Sequence, residues 1–132
     1  MSIAIIYHVA GGKNIEKEIP GSLGRRTKFL SKCLKKLPTL APFKTEGLDL
    51  IKTIKKETGI RNSVVHGYFS HFNAEKNLST FTLISSKMDK QMHTEVLTHY
   101  TGQELLDAGG RILNLATNMG KFSRSLANAL QP

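Results

Sequence analysis

The last third of the chain carries its most regular alternation of apolar and polar positions. Leu105, Ala108, Ile112, Leu115 or Ala116, Met119, Phe122, Leu126 and Leu130 recur at helical spacing. Thr101-Gly102-Gln103-Glu104 stands before them as a capping-box pattern, with Thr at the N-cap and Glu at N3. The spacing predicts one long helix from Gly102 to about Leu130, its stripe serving as core. Gly109, Gly110 and Gly120 each cost such a helix about 1 kcal/mol. Close approach of another helix would account for them.

A second apolar stripe is shorter: Leu23, Leu30, Cys33, Leu34 and Leu37, with Phe29 at its margin. With Ser22 as N-cap it predicts a helix over 23–37. Pro38 and Pro42 end that helix and favour an extended connection. Thr45 suits the cap of a third helix, with Glu46 in its first turn and Leu48, Ile51, Ile54 or Lys55, and Thr58 along one side. Gly59 stops this helix or lets it bend, so 61–69 is a second helical segment or a continuation.

Beyond the polar loop 73–77 the texture changes. Residues 80–84 and 93–100 are rich in β-branched and aromatic side chains, with a turn expected over 87–90. These read as a β-hairpin. At the other end, 2–9 reads as a short strand or as the end of a helix, broken by Gly11-Gly12, and Pro20-Gly21 marks a turn. The expected fold is one domain over 1–132, mainly α, a helical bundle with a β-hairpin before a long C-terminal helix.

Charge narrows the partners. Nineteen Lys and Arg residues face ten Asp and Glu in 132 residues, a formal charge of +9. The excess favours a polyanion (RNA, DNA or an anionic membrane surface) or serves solubility alone. The polar side of the second stripe holds Arg25, Arg26, Lys28, Lys32, Lys35 and Lys36. It is either a solvated face or the electrostatic footprint of RNA. Cys33 has no partner cysteine and sits among leucines, as a small buried hydrophobe would. His8, His66, His71, His93 and His99 show no zinc spacing, so no metal or other cofactor is expected. The apolar start is too short for a membrane span and lacks the basic region of a signal peptide, so a cytoplasmic location is expected.

One stretch combines a permanent cation with a group that titrates near neutrality: Ile60-Arg61-Asn62-Ser63-Val64-Val65-His66-Gly67-Tyr68-Phe69. A guanidinium offers planar donors to phosphate oxygens, and an imidazole moves a proton near pH 7. In RNA the 2′-hydroxyl is an internal nucleophile, so these groups suffice for cleavage without metal. The plain alternative is a structural Arg and a half-buried His. On a regular helix residues five apart point about 140° from each other. Arg61 and His66 therefore meet only if the backbone bends over 59–62, or across a two-fold axis from a second copy. His71 reads as a second proton carrier or as a loop histidine.

Arg61-Asn62-x-x-x-His66 resembles the signature of the HEPN superfamily, and Arg-x4-His-x-Tyr resembles its form in toxins paired with a nucleotidyltransferase antitoxin. The resemblance implies a HEPN-like helical bundle, a homodimer with the motif at the interface, and metal-independent endoribonuclease activity in toxin–antitoxin or phage-defence systems. It implies Arg61, Asn62 and His66 as the catalytic set and Tyr68 as a site of modification by the antitoxin. Some members are non-catalytic dimerisation or RNA-binding modules, which is the alternative for this chain.

Overall fold

A computed structural model describes residues 2–87 and 92–131. The chain forms two compact units, Met1–Ile54 with Asn114–Pro132, and Lys55–Leu113.

In the first unit, Ser2–His8 is helix α1. Its alternatives resolve to helix because Ile3, Ile6 and Ala10 fall on one helical side and all are buried. Beyond it Gly11, in the left-handed region at φ 91°, precedes a 3-10 turn over Gly12–Asn14. Helix α2 spans Leu23–Lys36, with Ser22 Oγ accepting the Arg25 N–H at 3.4 Å. Phe29, expected at the margin, is buried at the centre, whereas Leu23 is 41% exposed.

The proline connection is not extended. Pro38–Phe43 is a 3-10 helix that buries Leu40. The φ that proline fixes suits 3-10 geometry as well as an extended chain, so the apolar Leu40 decides. This turn feeds directly into helix α3, Lys44–His66, which leaves Thr45 inside the first turn with no end to cap. At Gly47 a Cβ would lie 2.6 Å from Leu34 Cδ1 and 3.0 Å from the Phe122 ring, so glycine permits that packing. Phe29, Cys33, Leu34, Leu40, Ile51, Phe122 and Leu126 build the core with the buried residues of α1.

The second unit begins in the later part of α3, which runs unbroken through Gly59. The expected hairpin is present, but as part of a three-stranded antiparallel sheet in the order β1-β2-β3. Its strands are β1 (Tyr68–Asn73), β2 (Leu78–Lys87) and β3 (Met92–Thr101). β1 replaces the end of the expected helical segment 61–69 and places His71 in a strand, not a loop. The β1–β2 turn is built by Asn73 Oδ1, which accepts the Lys76 N–H at 3.1 Å, and by Asn77 at φ 50°. Of the expected turn over 87–90, residues 88–90 lie outside the described residues.

Helix α4, Gly102–Leu130, follows at once. Both bonds of its capping box form at 3.1 Å, Glu104 N–H to Thr101 Oγ1 and Thr101 N–H to Glu104 Oε2. Among the described residues of the chain no close helix meets Gly109, Gly110 or Gly120: a Cβ at any of the three has nothing within 4 Å. Among the described residues of this unit, the buried ones are Glu57, Ser63, Thr80, Thr82 and Ala108, four polar and one small apolar. No helix among the described residues is long and apolar enough to cross a membrane.

Candidate active site on the second unit

The last turn of α3 presents Arg61, Asn62 and His66 together. Arg61 Nη1 lies 3.4 Å from His66 Nε2 and donates to Asn62 Oδ1 at 3.3 Å, all within one chain. The contact forms within one chain, while α3 runs on through 59–62. The helix end supplies the reason. The Gly67 N–H is shared between Ser63 O at 3.1 Å and Asn62 O at 3.3 Å. The bond to Asn62 spans five residues, the wider pattern of a π turn, which draws residues five apart towards one side. The length of the arginine side chain closes the remainder.

A guanidinium N–H only donates, so the contact is a hydrogen bond when His66 Nε2 is the accepting nitrogen. The pair sets an imidazole nitrogen beside a cation suited to phosphate. Arg61 and His66 are exposed and Asn62 is half-buried.

Gly67 joins α3 to β1 because no side chain fits there. A Cβ would stand 2.3 Å from Ser63 O and 3.1 Å from Thr82 O. On the buried side of α3, the Tyr100 hydroxyl donates to Ser63 Oγ at 3.4 Å, and Ser63 Oγ donates to Gly59 O at 3.2 Å. Glu57 accepts a two-pronged contact from Arg111, Nε to Oε1 at 2.8 Å and Nη2 to Oε2 at 3.3 Å, which ties α3 to α4 within the unit. That hydrogen bond is the main cause that raises the Arg111 pKa above its ordinary value. Sequence spacing gave no sign of this pair, 54 residues apart.

No family model, curated protein or solved structure matches the chain.

The six basic residues predicted on α2 divide. Arg25, Lys28 and Lys32 line a groove of about 760 Å³ in the first unit, closed on its other side by residues 15–21. Lys32 is already engaged by Glu16 at 2.6 Å, and Arg26 donates from Nε to Pro20 O at 2.9 Å. Of the α2 residues, Arg25 and Lys28 are exposed in that groove beside Lys17, while Lys35 and Lys36 are exposed in the last turn. Tyr68, the first residue of β1, is 52% exposed. His99 Nδ1 lies 2.8 Å from Thr80 Oγ1. Among the described residues no three His, Cys, Asp or Glu side chains are grouped to hold a metal ion. Burial, and after it the charge of Glu16, pushes the Cys33 thiol up to about 11, which keeps it in the unreactive neutral form.

The sequence pattern gave no warning of an aromatic row on the sheet. Ring centroids of Phe69 and Phe81 are 5.9 Å apart, and those of Phe81 and Tyr100 are 6.2 Å apart. A bulge between Phe69 and His71 sets Phe69 opposite Phe81 and Phe72 opposite Ser79. Phe81 and Ser79 alternate to one side of β2, so the bulge puts Phe69 and Phe72 on that same side. Three residues apart on an unbulged strand, they would face opposite ways.

Proposed function

We propose that the chain is a HEPN-type endoribonuclease that cuts RNA without a metal ion. The observation that carries this reading is the exposed contact between Arg61 Nη1 and His66 Nε2. With Arg61 turned from Nε2 to the phosphate, His66 Nε2 accepts the proton of a 2′-hydroxyl, and the 2′-oxygen attacks the adjacent phosphorus. The bond from phosphorus to the 5′-oxygen breaks, and that oxygen takes a proton from solvent. Arg61 binds the non-bridging oxygens and stabilises the charge that grows on them. Asn62 holds the guanidinium in place through its Oδ1. The products are a 2′,3′-cyclic phosphate and a 5′-hydroxyl.

The active species is a homodimer with the two motifs at its interface. Val64 and Val65, which lie inside the motif on α3, are 45% and 58% exposed, and Leu106 on α4 is 72% exposed. Leu106, Gly109, Gly110 and Leu113 follow helical spacing, a smooth exposed stripe suited to a facing helix. The second unit carries seven basic and six acidic residues against twelve and four in the first, so two copies meet there with little repulsion. Arg25, Lys28, Lys35 and Lys36 bind the RNA backbone. As part of a toxin–antitoxin or phage-defence system, the chain is controlled by an antitoxin. A nucleotidyltransferase antitoxin would modify the exposed Tyr68 hydroxyl, two residues from His66.

Incubation of the purified protein with total RNA in EDTA tests the chemistry. Cleavage leaving cyclic phosphate ends is expected, with His66→Ala and Arg61→Ala each slower by about 100-fold or more. Strict Mg²⁺ dependence or 3′-hydroxyl ends would overturn it.

A further inference from the structure

The aromatic row of the sheet has no part in cleavage as described, yet it reaches the helix that carries the site. Its inner end is Tyr100, whose hydroxyl reaches Ser63, one helical turn before His66. Its outer rings are open: Phe69 is 58% exposed and Phe72 is 48% exposed. Exposed rings leave apolar area that a ligand can cover, and here the bulge turns two of them to one side. That side carries no carboxylate among the described residues. Glu95 lies opposite Ile84, and Ile84 alternates to the other side of β2 from Phe81.

We infer that this face is a stacking platform for the unpaired bases of a single-stranded RNA. The inference rests on the ribonuclease reading for its ligand and names the kind of RNA taken: a single strand, not a duplex. A flat aromatic ring accepts the face of any base, and bases in a duplex are already stacked and cannot reach it. An aliphatic face would serve a protein partner equally well. The rings and the lack of carboxylates favour nucleic acid. A strand whose scissile phosphate lies at Arg61 would set its neighbouring bases on Phe69 and Phe72. The platform thereby selects strands that are open next to the cut.

The test uses the full chain and an uncleavable probe, a 2′-O-methyl single strand of ten nucleotides containing 2-aminopurine, with the matched duplex as comparison. Binding should quench the 2-aminopurine emission of the single strand. Phe69→Leu and Phe72→Leu keep the apolar bulk but remove the ring. Each should weaken single-strand binding about five-fold or more. The salt dependence should keep its slope, since no phosphate contact is lost. Duplex binding should not respond to either change. Leucine variants that bind the single strand as tightly as the wild type would overturn the platform. So would a protein that does not bind the probe, or variants that break a dimer in sedimentation, which would make the face a contact between copies. Because the probe cannot be cut, a failure of the cleavage mechanism leaves this result standing. Active protein whose leucine variants bind normally would sink the platform alone.

Discussion

Gly67 and Gly59 lie eight residues apart on one stretch of chain, and alanine at each should act with opposite sign. At Gly67 the added carbon would stand 2.3 Å from Ser63 O, 3.3 Å from the same carbonyl carbon and 3.1 Å from Thr82 O. An ordinary carbon–oxygen contact is about 3.3 Å or longer, so the overlap with Ser63 O is about 1 Å. All three neighbours are backbone atoms, so no side chain can rotate away. Either the last turn of α3 or the start of β1 must move, at a cost of about 1–3 kcal/mol or more. At Gly59 nothing lies within 4 Å, and the residue is in the interior of α3. Alanine there should stabilise by about 0.5–1 kcal/mol through helix propensity and the stiffer unfolded chain.

Urea unfolding of Gly67→Ala, Gly59→Ala and wild type gives the comparison, with unchanged slope as the check that the unfolded state is the same. A separation of about 2–4 kcal/mol between the variants is expected, roughly 8–16 °C in melting temperature. Gly67 follows His66 directly, so Gly67→Ala should also slow RNA cleavage while Gly59→Ala leaves it near the wild-type rate. A Gly67→Ala protein as stable as wild type would refute the close approach at the helix–strand joint. Equal destabilisation at both sites would show that the effect is not steric.

Three further outcomes follow from other contacts. Because Arg61 and His66 meet within one chain, mixed dimers of Arg61→Ala with His66→Ala should stay inactive; recovery of cleavage on mixing would mean that the working pair forms between chains. Arg111→Met should lower the melting temperature by stranding the buried Glu57 carboxylate, and Glu57→Gln in that background should restore part of the loss; a double variant no more stable than Arg111→Met would count against the pair. Cys33 should resist a disulfide reagent at pH 8 until the protein unfolds. Its folded pKa is raised to about 11 from 9.0. The thiol therefore contributes stability that is present below pH 9 and lost between about pH 9 and 11. Rapid native labelling would contradict that burial.

Features that depend on nearby residues were legible in the sequence. The capping box before α4, the Ser22 cap and the stripe of α4 all stand where the residue pattern places them, because each is set by residues three to seven apart. Strand β1 was hidden because Tyr68–Asn73 follows a helix within two residues, and its two phenylalanines are spaced for neither helix nor plain strand. The bulge that reconciles them is a property of the pairing with β2. The Arg61–His66 contact was misjudged because the angular rule treats the helix as regular to its end. A shared bond at Gly67 and a long side chain were enough to defeat it. Glu57–Arg111 joins residues from two elements, and no local pattern announces such a pair.

The two units are held together by different means, and this bears on the proposed dimer. The first unit buries Phe29, Leu34, Leu40, Phe122 and Leu126 almost completely, an ordinary apolar core. The second unit buries polar groups instead: Thr82 Oγ1 donates to Ser70 Oγ at 3.0 Å, Ser70 Oγ donates to Thr80 O at 3.1 Å, and Glu57 meets Arg111. Hydrogen bonds of this kind add only about 1 kcal/mol each against water. Apolar side chains would normally stabilise such a unit more than its hydrogen bonds do, yet Val65, Leu97 and Leu106 are more than half exposed. Covering such side chains removes about 25 cal/mol of unfavourable free energy per Å² of apolar surface. In the proposed homodimer a second copy covers them. The midpoint of thermal unfolding should then rise with protein concentration, as linkage to dimerisation requires. Leu106→Arg should abolish that rise while leaving the core of the first unit intact. A midpoint independent of concentration over a hundred-fold range, with a monomer in sedimentation, would show that the second unit stands on its polar bonds alone.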